Sequence, residues 1–148
     1  PVSYISLDVT AGNKGPGKTF TNHLATYVYL YLPTIKDLLL VQGFDDPSDQ
    51  EIQGFMCGTI LHEWGHHPSC NCEVDPTADP DCEHYEQFLG NVATFCDVVA
   101  ALEDGSGFQT GLCAVTGYAR EQLGLGWAAY VANCGAAPDI PPSCPECN

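Results

Sequence analysis

Two histidines and a glutamate, His62, Glu63 and His66, stand at the spacing H-E-x-x-H. Residues four apart on an α-helix share a face, so both imidazoles can reach one metal ion. Glu63 sits about 100° round the same helix, at roughly 3.6 residues per turn. From there its carboxylate can take a proton from a water activated at the metal, and the hydroxide attacks a polarised carbonyl. The chemistry on offer is metal-assisted hydrolysis. Five histidines in 148 residues can also produce the pattern by chance, but the flanking sequence favours the first reading.

The motif needs a helix, and the chain supplies its signals. Asp46-Pro47-Ser48-Asp49-Gln50-Glu51 reads as a helix start, with Ser48 or Asp46 as cap and acidic residues in the first turn. Ile52, Phe55, Met56, Ile60, Leu61 and Trp64 then run towards Pro68, which cannot continue a helix. Gly54, Gly58, Leu61 and Gly65 form a flank beside the histidines. Each helical glycine costs about 1 kcal/mol relative to alanine. The return is either close packing by another backbone or open space for substrate at a metal.

A catalytic zinc usually takes three protein ligands and a water. The third must come from the helix expected over Asp81–Leu102, where Glu83, His84 and Glu86 are candidates. With His84 at zero on a helical wheel, Phe88, Asn91, Phe95, Val98, Val99 and Leu102 fall within about 60° of it. His84 thus extends the apolar stripe and is favoured over Glu83, then Glu86. The alternative for His84 is a buried, hydrogen-bonded core histidine. Tyr85 beside it is a candidate donor to an oxyanion, or simply packs. His67 points away from the His62/His66 face.

The pentapeptide resembles the signature of the zincin superfamily of zinc metallopeptidases, over this motif and its helix only. The resemblance implies a zinc-dependent endopeptidase, with His62 and His66 as ligands, Glu63 as general base and a peptide or protein as substrate. The metzincin extension is absent: Cys72 stands where its third histidine would be, and Ser69 where its glycine would be. The Gly-Thr…Asp-x-x-Tyr-Gly pattern of deuterolysin-type enzymes is also absent. A glutamate ligand on the following helix would resemble the gluzincin arrangement.

Length and composition set the frame. The 148 residues suffice for one domain with a sizeable core. No apolar run reaches the length of a membrane span. A start at Pro1 reads as a mature chain whose signal or pro-segment has been removed. Nine cysteines in a chain this size indicate an oxidising, extracellular setting, and the odd number leaves at least one outside an internal disulfide. Cys144 and Cys147 with Cys70 and Cys72 also suit a structural zinc knuckle, although loop cysteines are more often disulfides. Four basic residues against nineteen acidic give a charge of −15, which argues against nucleic-acid or anionic-membrane partners. Two acidic loops, 45–49 and 75–81, offer oxygen ligands to calcium, though neither has EF-hand spacing.

The expected architecture is mainly α, with at most a small sheet, in one disulfide-stapled domain over 1–148. Val2–Val9 alternates as a strand. Phe20–Gln42 reads as mainly helical and broken at Pro33, with strand possible over Tyr27–Leu32. A last helix runs from about Ala114 to Asn133, stopped by Gly135. The motif Gly12-Asn13-Lys14-Gly15-Pro16-Gly17-Lys18-Thr19 satisfies the phosphate-loop pattern. That reading needs a larger parallel sheet, for which Leu38–Val41 is the only further strand on offer. Two other readings compete with the hydrolase. One is a non-enzymatic, disulfide-rich binding or structural protein in which the motif is fortuitous or holds a structural metal. The other is a di-metal helical bundle built on Glu63-x-x-His66.

Overall fold

The structure, a computed structural model, describes residues 2–9, 15–21, 25–65 and 80–148. Three strands, β1 (Val2–Asp8), β2 (Gly17–Thr21) and β3 (Ala25–Tyr31), form one small sheet in the order β1-β3-β2. β1 runs parallel to β3 and β2 antiparallel to it, with Thr19 opposite Val28. Among the described residues four α-helices follow, α1 (Leu32–Val41), α2 (Asp49–Trp64), α3 (Pro80–Ala101) and α4 (Gly107–Asn133), with a 3-10 turn at Pro145–Cys147. The mainly helical, disulfide-tied domain with a small sheet is the expected class.

Two expectations along the chain need correction. The segment 20–42 is not a helix broken at Pro33. Its first half belongs to β2 and β3, and Pro33 stands in the first turn of α1. A proline is tolerated there because that position needs no intrahelical N–H donor. In β3, Val28 and Leu30 point into the core while Tyr27 and Tyr29 are half-buried on the other face, the period of a pleated strand. The last helix also begins seven residues before Ala114, capped by the Ser106 side chain on the Gln109 N–H. Glycines at 107 and 111 masked that start. At the other end Gly135 adopts φ 111°, the left-handed stop expected of it.

α4 is the central element, packed by α2 on one side and α3 on the other, while the sheet lies against α2. Its crossing with α2 is set by glycine. A Cβ on Gly54 would lie 2.1 Å from the Phe108 carbonyl oxygen, and one on Gly111 would lie 2.0 Å from the Glu51 carbonyl oxygen. Gly58 instead makes room for the Val115 side chain. The glycine flank of the motif helix thus serves close packing, by backbone at Gly54 and by side chains at Gly58 and Gly65. Phe55, Phe95, Ile35, Leu39, Leu112 and Leu123 fill the core between these layers. Gln109, itself buried, ties the α3–α4 turn, donating to the Val99 carbonyl and accepting from the Gly105 N–H.

Among the described residues three disulfides join the helices and the tail. Cys82–Cys134 ties the start of α3 to the end of α4, and Cys96–Cys144 and Cys113–Cys147 fasten the C-terminal segment to both helices. Cys144 and Cys147 are therefore not half of a zinc knuckle; Cys70 and Cys72 lie outside the described residues. Cys57 is reduced and half-buried, and burial pushes its thiol up. No helix among the described residues is long and apolar enough to cross a membrane.

Candidate active site

The motif helix begins as the sequence signals. Ser48 accepts from the Glu51 N–H, and the Glu51 carboxylate accepts from the Ser48 N–H at 2.6 Å, a complete capping box. Four turns later the helix presents His62 and Glu63. His66 and His67 lie outside the described residues, as does the acidic loop at 75–79.

α3 brings its own residues to His62. The Nε2 atoms of His62 and His84 stand 3.0 Å apart. That is hydrogen-bonding distance; a tetrahedral zinc with Zn–N bonds of about 2.05 Å would hold two such nitrogens roughly 3.3 Å apart. On its other side, His62 Nδ1 donates to Asn91 Oδ1 at 2.7 Å. That bond leaves the lone pair of a neutral imidazole on Nε2, the atom facing His84. Gln87, one turn before Asn91, donates to the His62 carbonyl at 2.5 Å and crowds Gly65. Phe88 stacks on the His62 ring at 4.6 Å and tilts against His84 at 4.8 Å, forming an apolar plate behind both imidazoles.

The helical wheel put His84 on the buried stripe; the structure sets it against His62 but leaves it exposed. The ring is exposed at the end of the stripe whose later members, Phe95 and Val99, are fully buried. Of the other candidates, Glu83 has a buried Oε1 with no hydrogen-bond partner, and Glu86 is exposed and accepts from the Tyr130 hydroxyl at 2.7 Å. That bond raises the Tyr130 phenol. Tyr85 is buried, its ring stacked on Tyr130 and its hydroxyl unpartnered. Burial raises its pKa too, so it stays a protonated donor at neutral pH. Among the described residues no group of three His, Cys, Asp or Glu side chains gathers as a metal site, and the acidic loop at 45–49 forms none for calcium.

Glu63 is buried, 6% exposed, and its Oε2 accepts from Thr19 Oγ1 at 2.6 Å. Thr19 ends the phosphate-loop pattern, which the structure does not bear out. Gly17, Lys18 and Thr19 lie in strand β2 and not at a helix start, and Leu38–Val41 belongs to α1. Sequence reasoning gave no role to Thr19 or to Asn91. Asn91 carried a signal, a lone amide in an apolar stripe; Thr19 carried none locally.

A cavity of about 490 Å³ is lined by Glu63, His62 and His84 together with other residues of α3 and α4 and the disulfide-bonded Cys82 and Cys134. Phe88, Phe95, Val115 and Tyr118 line much of it, and Gly17 of β2 also borders it. Its size is that of a small-molecule or side-chain site. The chain matches no protein-family model, no curated protein and no solved structure, so the functional reading rests on the geometry of the site itself.

Proposed function

We propose that this chain is a secreted zinc-dependent endopeptidase. The observation that carries the reading is the convergence, at one cavity mouth, of the His62 and His84 Nε2 atoms with the buried carboxylate of Glu63. His62 and His84 would hold the ion, with His66 four residues along the sequence from His62 as the further ligand that the spacing implies. When bound, zinc would polarise the scissile carbonyl and make a water acidic near neutral pH. Glu63 takes the proton from that water and delivers it to the leaving nitrogen. Asn91 fixes the tautomer and orientation of His62. Phe88 packs against both imidazoles and helps to fix their orientation.

The elements around the cavity support a peptide as substrate. β2 is an edge strand of the sheet, and its first residue borders the cavity. An extended peptide can pair along such an edge and turn one side chain into the cavity. Three disulfides support a site of action in an oxidising compartment. The test is Glu63→Gln, which removes the base and keeps the imidazoles. Zinc binding should persist while cleavage of a quenched fluorescent peptide mixture falls by about two orders of magnitude or more. Unchanged cleavage would refute the mechanism. A wild-type protein with neither zinc nor cleavage would favour the non-enzymatic binding or structural reading.

A further inference from the structure

We propose that Thr19 is a positioning residue for Glu63, clamping one carboxylate oxygen so that the other faces the reacting water; the inference rests on the hydrolase reading above. The Thr19 hydroxyl has one proton and two acceptors within reach, Glu63 Oε2 at 2.6 Å and the Glu63 carbonyl at 3.0 Å. The carboxylate is the nearer and carries the charge, so it takes the bond. With Oε2 held by Thr19, Oε1 is the carboxylate oxygen that would take the proton from a water. A carboxylate as buried as Glu63 is costly without such a donor.

The donor is held on a rigid support. Thr19 pairs with Val28 in the centre of the β2–β3 ladder. Two residues earlier, β2 is pressed onto α2. A Cβ on Gly17 would lie 2.7 Å from Thr59 Cγ2 and 3.2 Å from Glu63 Cγ. Only glycine lets the strand approach this closely, and that approach puts the hydroxyl on the carboxylate. Lys18 between them is exposed, on the opposite face by strand alternation, so it brings no charge to Glu63. Gly17-Lys18-Thr19, the end of the phosphate-loop pattern, thus acquires a role that needs no nucleotide.

The test compares Thr19→Val, which keeps the shape and removes the hydroxyl, with Thr19→Ser, which restores it. Thr19→Ala replaces Thr19→Val if that variant does not fold. The probe is the same quenched peptide mixture with zinc-loaded protein. Thr19→Val should lower kcat roughly 10- to 100-fold, the size of one hydrogen bond to a charged group. KM and zinc content should not change, and Thr19→Ser should recover most of the loss. A merely structural role would move stability without this split. A second readout needs no activity: the 13C resonance of the Glu63 side-chain carboxyl in metal-free protein should be displaced in Thr19→Val and return in Thr19→Ser. Unchanged kcat in an active Thr19→Val enzyme, or an unmoved resonance, overturns the proposal. A wild-type protein that cleaves nothing refutes the hydrolase reading and the catalytic role together, and a displaced resonance would then leave only the contact.

Discussion

Gly54→Ala should destabilise this protein, although alanine is the better helix former. The added Cβ would lie 2.1 Å from the Phe108 carbonyl oxygen and 2.8 Å from the Leu112 nitrogen, where ordinary contacts begin at 3.4 Å. Both obstacles are backbone and cannot rotate aside. α2 and α4 must therefore separate by more than an ångström, which opens the core around Phe55 and Leu112. Overpacking of this kind costs about 3 kcal/mol, against a propensity gain of about 1 kcal/mol. The net loss of about 2 kcal/mol lowers Tm by about 8 °C in a domain of this size. Gly90→Ala is the control. A Cβ there meets nothing within 4 Å on the exposed face of α3, so about 1 kcal/mol and about 4 °C should be gained. Thermal unfolding of the oxidised proteins, followed by far-ultraviolet circular dichroism, reads both. A Gly54→Ala protein as stable as wild type would refute the close crossing that positions the motif helix.

Asn91→Ala should lower zinc affinity about 10- to 100-fold by releasing His62 Nδ1, measured by competition with a chromophoric chelator; unchanged affinity would remove Asn91 from the site. Replacing both Cys82 and Cys134 by serine should cost about 2–5 kcal/mol, since that bond closes 52 residues of chain and anchors the start of α3 two residues before His84. Denaturant unfolding tests this, and a loss under about 1 kcal/mol would contradict it. The same double variant should also bind zinc more weakly, because the turn carrying His84 loses its tether.

The motif helix was legible because its signals were local: Ser48 and Glu51 form the capping box that their spacing announces. α3 was legible because its apolar stripe keeps one period from Phe88 to Val99. The failures have physical causes. Tyr27–Tyr31 suits a strand or a buried helix equally well until its partners are known, and those partners are β1 and β2, distant or weakly patterned. Gly107 and Gly111 read as loop residues, yet α4 keeps Gly111 because Glu51 leaves no space for a side chain. Thr19 reaches Glu63 across 44 residues, a contact that only the tertiary fold creates.

The central claim is tested most directly by zinc content, measured with peptide cleavage, in wild type and in His84→Ala after removal of metal and reloading. The account predicts one zinc per chain in wild type, with cleavage abolished by a chelator and restored by zinc. It predicts sharply weakened zinc binding in His84→Ala, because a three-ligand site becomes a two-ligand one. Full zinc occupancy in His84→Ala, with loss in Glu83→Ala, would contradict this ligand set, and a wild-type protein that takes up no zinc would contradict the account as a whole.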